Sequence, residues 1–211
     1  PVWTPTTTEV FATYGTLGPR VGSAGDAAAD EGDTVAAQLV ARPSGAVPSF
    51  GGLSVTASST ALGNLTDAIA YLNGYPYECT EQIASRLLAN VALIDVLEAF
   101  DAPGLPSRAA AEDRIAADIA ALRQRQQERG GFGSWTGADR WTAIWSTIHA
   151  THALVRARDK GYAVDGGSVE RALDVLRDIR SHLADQPRPW SAEARRAAEA
   201  YALSARAAAG D

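Results

Sequence analysis

The sequence predicts a mainly α-helical fold, a partial α/α toroid of helical hairpins that follows a few β-strands. Short runs rich in β-branched residues are confined to residues 1–57, whereas apolar residues recur at helical spacing throughout residues 58–211. Breaks rich in glycine and proline divide the second part into six helical segments. Successive helices with short breaks pair as antiparallel hairpins, which a toroid arranges in an inner and an outer layer. We expect six helices to form only part of such a ring.

Three segments near the beginning of the chain, 9–15, 34–41 and 52–58, have the alternating or β-branched pattern of strands. A stretch rich in glycine, alanine and acidic residues separates the first two and predicts a mobile loop at 18–33. Three isolated strands cannot bury a core by themselves. The chain also lacks methionine entirely. We therefore expect a piece of a longer protein, with these strands at the edge of a β-domain.

The first two predicted helices flank a short break that contains the sequence "NGYP". Ser58 or Ser59 is a suitable N-cap for the first helix. Gly74 and Pro76 end this helix, because glycine favours a C-terminal turn and proline lacks the N–H that a helix needs. The second helix is predicted to begin at or just after Cys79 and to end near "DAPGLP".

Four further helices follow, each with a start or a stop signal. Ser107 is the predicted N-cap of the third helix, which extends over residues 108–128 and is ended by "RGGFGSWTG". The fourth covers residues 141–160. Ser168 opens the fifth, which "ADQPRPW" ends, and Ser191 opens the sixth.

Composition excludes several classes of partner. The chain has 211 residues, 46% of them hydrophobic, so it is able to build a core. Its net charge is −6 and it has no long basic run, which argues against nucleic acid as the main partner. No apolar stretch reaches the length of a membrane span, and we expect no direct membrane contact.

The single cysteine of the chain, Cys79, stands at the predicted start of the second helix. Unpaired N–H groups and the helix dipole stabilise negative charge there, so a thiolate is favoured. Gln82 is three residues further on and lies beside Cys79 on a helix. If the sulfur displaces ammonia from the Gln82 side chain, an internal thioester results. The alternative is an inert, buried cysteine, which is common in proteins.

The segment "YPYECTEQIASR" at 75–86 resembles the thioester motif of the alpha-2-macroglobulin and complement superfamily, and its flanks resemble the bacterial branch. Three other stretches agree in order. "FGGLSVTASST" at 50–60 is similar to the segment between the CUB-type β-domain and the thioester domain. "GGFGSW" at 130–135 and "WTAIW" at 141–145 are similar to the region downstream of the thioester. The resemblance covers most of the chain.

The resemblance implies specific roles for three residues. Cys79 and Gln82 are the thioester pair, and Glu81 is the acidic residue of the motif between them. The sequence departs from the motif at Glu78, where glycine is common, and at Thr80. Neither departure removes an atom that forms the thioester bond.

The implied function is a covalent protease trap, in which cleavage of a bait region elsewhere exposes the thioester to lysine amines on the target protease. Such a protein is an inhibitor that transfers its acyl group once, and not a turnover enzyme. Tyr75, Tyr77 and Trp135 are candidates for shielding the thioester from water. The resemblance also implies contacts with other domains of the same parent chain, and a periplasmic, envelope-associated or extracellular location. It implies no cofactor.

On this interpretation residues 1–57 are strands of the flanking CUB-type or macroglobulin-like domain, and residues 58–211 are the N-terminal part of the thioester domain. Two alternatives remain open. "QERGGFGSW" at 127–135 also resembles a motif of triterpene cyclases, which are α/α-barrel enzymes, although their Asp-rich motif is absent here. The other alternative is a helical interaction scaffold without covalent chemistry.

Other side chains on the predicted fourth helix have simpler interpretations. Trp141 and Trp145 are further candidates for shielding the thioester, but their spacing of four residues favours packing in the core. His149 and His152 share a face, but no third ligand of suitable type is nearby, so we predict half-buried, hydrogen-bonded histidines and no metal. His182 lies near a helix end, where it fits a partner for the dipole.

Family resemblance also bears on chemical preference. In complement proteins that esterify sugars, a histidine attacks the thioester first, and its position corresponds to residues 187–198 here. Arg195 and Arg196 occupy that region, and a guanidinium cannot act as a nucleophile. We therefore expect amines to be preferred over hydroxyls, although His149 or His152 remains possible as a relay.

Overall fold

The computed structural model describes the backbone of residues 63–100 and 106–211, and the side chains of this part except at 63–67, 70 and 96–100. Within these residues the fold is helical, without a β-strand, as the sequence predicts for this region. The strands at 9–15, 34–41 and 52–58 and the loop at 18–33 lie outside the described residues and stay predictions.

Seven helices occur in the described residues. They are α1 (Gly63–Gly74), α2 (Thr80–Phe100), α3 (Arg108–Arg125), α4 (Ile144–Asp159), α5 (Gly166–Arg177), α6 (Ile179–Ala184) and α7 (Ala192–Ala209). None of these helices combines the length and the hydrophobicity needed to cross a bilayer.

The starts of three helices agree with the sequence. The carbonyl of Cys79 accepts the first hydrogen bond of α2, from the Ile83 N–H at 3.0 Å, so the helix begins directly after the cysteine. The hydroxyls of Ser107 and Ser191 cap α3 and α7. Each accepts a hydrogen bond from the backbone N–H of the residue three positions later in the chain. The proposed N-cap at Ser58 or Ser59 lies outside the described residues.

The prediction that Ser168 caps the fifth helix is wrong. The carboxylate of Asp165 performs that role, accepting a hydrogen bond from the Ser168 N–H at 3.1 Å. Gly166 and Gly167, which precede the predicted start, therefore form the first turn of α5. A strong acidic N-cap is sufficient to begin the helix there despite the low helix propensity of glycine.

The predicted fifth helix is also divided in two, which makes seven helices instead of six. Asp178 has φ −104° and ψ 32°, outside the helical region, and separates α5 from α6. Helix α3 ends three residues earlier than predicted and α4 begins three residues later, because the loop between them folds back on itself. Gln126 and Phe132 form an antiparallel bridge there, and the Ala143 N–H donates to the Phe132 carbonyl at 2.8 Å.

Helix α2 is central to the described fold. It packs against α1, α3 and α4, and α4 in turn packs against α5 and α7. Ile83, Leu87 and Ile94 are completely buried, and polar residues of the same helix, Arg86 and Asn90, are buried as well. Burial of both apolar and polar faces places the beginning of α2 in contact with several other elements.

Candidate functional site

The side chain of Gln82 folds back onto the residue that precedes α2. Its Oε1 accepts a hydrogen bond from the backbone N–H of Cys79 at 3.0 Å. This is the contact that a glutamine in the third position of a helix makes with the N-cap residue. Cys79 is a free cysteine, and both residues are half-buried.

This contact has a chemical consequence. A hydrogen bond to a carbonyl oxygen polarises the carbonyl and makes its carbon more susceptible to a nucleophile. The Gln82 carboxamide is thus held against the backbone of the only residue in the chain that carries a thiol. The arrangement brings together the two residues that the sequence predicts as a pair.

The residues on either side of Cys79 are held by the last residue of α3 and by the loop between α3 and α4. Thr80 donates twice, from its N–H to the Ser134 carbonyl at 2.9 Å and from its hydroxyl to the Gly133 carbonyl at 2.6 Å. Arg125 donates to the carbonyl of Glu78 at 2.6 Å and to that of Trp135 at 3.0 Å. The start of α2 is therefore held by segments far away in the sequence.

Several glycines of this loop leave no room for a side chain, and Gly133 is the one whose carbonyl contacts Thr80. A Cβ atom on Gly133 would lie 1.9 Å from the Thr136 carbonyl oxygen, closer than any real contact. The absence of a side chain allows the loop to turn tightly while its carbonyl faces Thr80.

A buried ion pair between α2 and α3 lies close to the start of α2. The guanidinium of Arg86 donates two nearly parallel hydrogen bonds to Asp118 on α3, from Nε at 3.0 Å and from Nη2 at 2.6 Å. It also lies 2.8 Å from the carboxylate of Glu78. The hydrogen bond to Asp118 is the main cause that raises the pKa of Arg86, whereas burial raises the pKa of Asp118 against the attraction of the guanidinium. Arg86 thus ties α2, α3 and the segment before Cys79 together.

A chain of hydrogen bonds begins at Glu81 and crosses three helices. The Ser85 hydroxyl donates to the Glu81 carboxylate at 3.0 Å and lies 2.9 Å from Nε2 of His149 on α4. The Tyr201 hydroxyl on α7 lies 2.6 Å from Nδ1 of His149 and 3.1 Å from Nδ1 of His152. Burial lowers the pKa of both histidines and raises that of Tyr201. The two histidines are half-buried and hydrogen-bonded, as the sequence predicts.

The tyrosines before Cys79 form a small aromatic cluster. Tyr75 packs against Tyr71 and Tyr77, with ring centroids 5.6 and 5.8 Å apart. The three tyrosines line a cleft of about 150 Å³ together with Leu72, Gln82 and Arg86. Two of the three proposed shielding residues, Tyr75 and Tyr77, thus lie on the same cleft as Gln82.

Trp135, the third proposed shielding residue, is 58% exposed and does not line this cleft. Trp135 is connected to the site through its backbone carbonyl, which accepts a hydrogen bond from Arg125. The expectation that Trp141 and Trp145 are core residues is wrong, since they are 47% and 43% exposed. Trp141 precedes α4 and lies under the Arg140 guanidinium, and Trp145 packs against the ring of Tyr201.

Sequence reasoning did not identify several residues that surround the site. Ser85 follows Glu81 by four residues, a spacing that predicts contact on a helix, and this signal was available. Arg86 and Asp118, on different helices, carried no such signal. Among the described residues, no group of three or more potential ligands is arranged to hold a metal ion.

Comparison with known proteins gives partial matches. No family model matches the chain. The chain is 26% identical over 180 residues to circularly permutated Ras protein 2 of Dictyostelium discoideum, covering 82% of this chain and 4% of that protein. It is 32% identical over 117 residues to alpha-2-macroglobulin of Escherichia coli, covering 54% of this chain and 7% of that protein. The chain therefore spans a small part of the length of these relatives.

Solved structures of bacterial alpha-2-macroglobulins match the helical fold. The native conformation of the E. coli protein gives a TM-score of 0.60 at 27% identity, covering 68% of this chain and 9% of that chain. Salmonella alpha-2-macroglobulin reacted with methylamine gives a TM-score of 0.57 at 28% identity, covering 68% and 10%. In both sequence and fold, this chain is similar to a part of bacterial alpha-2-macroglobulins.

Proposed function

We propose that this chain forms part of a covalent protease trap in which Cys79 and Gln82 are joined by an internal thioester. The observation that carries the proposal is the 3.0 Å hydrogen bond from the Cys79 N–H to the Gln82 carbonyl oxygen. It holds the Gln82 side chain against the backbone of the residue that carries the thiol, at the N-terminus of α2, and this supports the proposed pairing. The likeness to bacterial alpha-2-macroglobulins, one of which has been reacted with methylamine, supports the same proposal.

The proposed chemistry has two acyl transfers. First, the Cys79 sulfur attacks the side-chain carbonyl carbon of Gln82; the C–N bond breaks, and the thiol proton leaves with the amide nitrogen as ammonia. Later, an amine of a target protease attacks the same carbon, the C–S bond breaks, and an amide forms with a thiolate on Cys79. Each molecule reacts once, so the protein is an inhibitor and not a turnover enzyme.

The wider setting follows from the proposed function. Surface lysines of proteases are the expected covalent partners, and other domains of the parent chain are expected to cover the thioester until activation. Tyr75 and Tyr77 are proposed to exclude water from the Gln82 side of the cleft, and Trp135 to shield the loop side. We expect the helical array to be part of an α/α toroid and the protein to function in the periplasm, on the envelope or outside the cell. The cyclase and scaffold alternatives stay hypotheses.

The test is the intact mass of the full-length protein that carries this sequence. It should be lighter by one ammonia than the sequence requires, and methylamine should release one thiol per chain. Cys79→Ala is the matched control, because it keeps Gln82 and should show the full sequence mass. A wild-type protein with the full mass and a thiol that reacts freely before any treatment would contradict the proposal.

The same protein allows the preference for amines to be measured. Both ring nitrogens of His149 are engaged in hydrogen bonds, so it presents no free lone pair for attack on the acyl group. We therefore expect protease activation in the presence of labelled glycerol and methylamine to yield mainly the amide. Comparable amounts of glycerol ester, lost on replacing His149 or His152 by phenylalanine, would show that one of them acts as a nucleophilic relay.

A further inference from the structure

The chain of hydrogen bonds from Glu81 to His152 has no role in the proposed thioester chemistry as stated above. Its five members come from α2, α4 and α7, and all of them are half-buried. A polar network of this kind is costly to bury unless each member is satisfied. The network ends at the Glu81 carboxylate in the first turn of α2, so this carboxylate is the group that it holds in place.

The direction of the hydrogen bonds follows from the carboxylate at one end. An ionised Glu81 accepts only, so the Ser85 hydroxyl must donate to it, and Nε2 of His149 then donates to the Ser85 oxygen. Nδ1 of the neutral His149 accepts from the Tyr201 hydroxyl, whose oxygen in turn accepts from Nδ1 of His152. Every proton in the chain therefore points towards Glu81.

The network directs the Glu81 carboxylate to one side of α2. Residues of an α-helix are separated by about 100° of rotation, so Ser85 projects about 40° from Glu81 and about 60° from Gln82, in the sector between them. A Glu81 carboxylate bound to Ser85 is consequently drawn towards the face that carries Gln82. Cys79 also projects about 60° from Gln82, on the opposite side.

We infer that Glu81 is the base that accepts the proton of the attacking amine, and that Ser85, His149 and Tyr201 are positioning residues that hold its carboxylate beside the Gln82 acyl group. This inference rests on the proposed thioester function. It assigns a chemical role to the acidic residue between the two thioester partners, which the sequence marks only as part of a motif.

The neutral amine adds its lone pair to the Gln82 acyl carbon, and the C–S bond breaks with both electrons going to the Cys79 sulfur. The positively charged nitrogen of the adduct gives one proton to the Glu81 carboxylate, which becomes a carboxylic acid. The products are an amide on Gln82, a thiolate on Cys79 and a protonated Glu81, which then exchanges its proton with solvent.

The charges around the network suit this role. His149 faces Glu81 and His152, and burial is the main cause that lowers its pKa. His152 has Arg156 as a further charged neighbour, and its pKa is also lowered. Because both rings are neutral near pH 7, neither histidine competes as a cation with the incoming amine for the Glu81 carboxylate, and Ser85 remains its hydrogen-bond donor.

The experiment compares Glu81→Gln, Ser85→Ala and Tyr201→Phe in the full-length protein. Glutamine retains an oxygen that accepts the Ser85 bond but cannot take a proton. Tyr201→Phe removes only the hydroxyl of the network and keeps the ring that packs against Trp145. Tyr162→Phe is the matched control, because Tyr162 is a half-buried tyrosine outside the network.

The rate of thiol release by methylamine is measured for each protein whose intact mass shows the loss of ammonia. Glu81→Gln should react at least about tenfold more slowly, because general base catalysis contributes on the order of 10²–10⁴-fold. Its rate should become second order in methylamine, with a second amine as the base, and added acetate should restore part of it. Ser85→Ala and Tyr201→Phe should show smaller losses in the same direction, and Tyr162→Phe none.

The outcomes separate this inference from the proposed function. If the wild type itself lacks the ammonia loss and the thiol release, the thioester proposal fails. If the wild type carries a thioester and Glu81→Gln reacts at the wild-type rate and first order in amine, the base assignment is overturned. If Glu81→Gln forms no thioester, Ser85→Ala and Tyr201→Phe decide, and rates equal to that of Tyr162→Phe overturn the positioning role.

Discussion

The N-termini of α2 and α7 are two helix starts built from different kinds of contact. At α7 the Ser191 hydroxyl accepts a hydrogen bond from the Ala194 N–H at 3.1 Å, and most of the surrounding residues are exposed. At α2 the Gln82 side chain reaches back to the Cys79 N–H, while Thr80 is bound to the loop before α4. The first arrangement is complete within four residues, whereas the second depends on α3, α4 and their connecting loop.

This difference separates a structural cap from a site. A local cap lowers the free energy of one helix and needs no other part of the protein. The contacts of Thr80, Arg86 and Arg125 instead fix the position of Cys79 relative to distant elements. The proposed chemistry between Cys79 and Gln82 would require that precision, because small displacements of reacting atoms cost much of the rate.

The largest effect is expected from removing the carboxylate that pairs with Arg86. Asp118→Ala should lower the free energy of unfolding by about 3–5 kcal/mol, because it removes the principal partner of a buried guanidinium. The matched control is Glu112→Ala, which breaks an exposed pair with Arg108 and should cost at most about 1 kcal/mol. Urea unfolding followed by circular dichroism measures both. Equal losses would show that Arg86 does not depend on Asp118.

The next effect concerns the loop that holds Thr80. Gly133→Ala forces the backbone at Thr136 to move, and we expect a loss of about 1–3 kcal/mol, as for other overpacked sites. Gly74→Ala is the control, because a Cβ there has no neighbour within 4 Å. Thioester formation, measured by intact mass, should be impaired in Gly133→Ala alone. An unaffected thioester in a destabilised Gly133→Ala protein would mean that the loop supports stability but not the site.

A smaller effect distinguishes the two helix starts directly. Thr80→Val and Ser191→Ala each remove a hydroxyl that makes one hydrogen bond, and each should cost on the order of 1 kcal/mol. Only Thr80→Val should also change the rate at which methylamine releases the Cys79 thiol. If both variants or neither changed that rate, the contrast between a local cap and a fixed site would not hold.

The sequence predicts most of the helices and the proximity of Gln82 to Cys79, because both depend on spacing along the chain. The starts of α2, α3 and α7 follow from residues within one turn of each helix. Asp178, where the predicted fifth helix divides, and Asp165, the true cap of α5, are also local features, but several competing signals surround them.

The contacts that build the site around Cys79 join residues that are far apart in the sequence. Asp118 is 32 residues from Arg86, and His149 is 64 residues from Ser85. Without knowledge of the packing of α2 against α3 and α4, neither partner is recognisable. The expectation that Trp145 lies in the core failed for the same reason, because helical spacing identifies a shared face and not the neighbour that covers it.

The smallest effect concerns pH and separates the α2 site from the rest of the protein. His149 has an ordinary pKa of 6.5, and its pKa in the folded state is lower, mainly through burial. Below pH 6.5 the unfolded chain therefore binds more protons at this position than the folded chain, so the free energy of unfolding falls as the pH decreases. Well above pH 6.5 the ring is neutral in both states and contributes no pH dependence. His149→Phe should lose less stability than the wild type between pH 7 and pH 5, in urea titrations at each pH. Groups present in both proteins, including Asp118, cancel in this comparison, and His152 continues to titrate in both. A pH dependence identical in the two proteins would indicate that His149 takes up its proton equally in the folded and unfolded states. Its ring would then not be held in the neutral form that the hydrogen bonds to Ser85 and Tyr201 require.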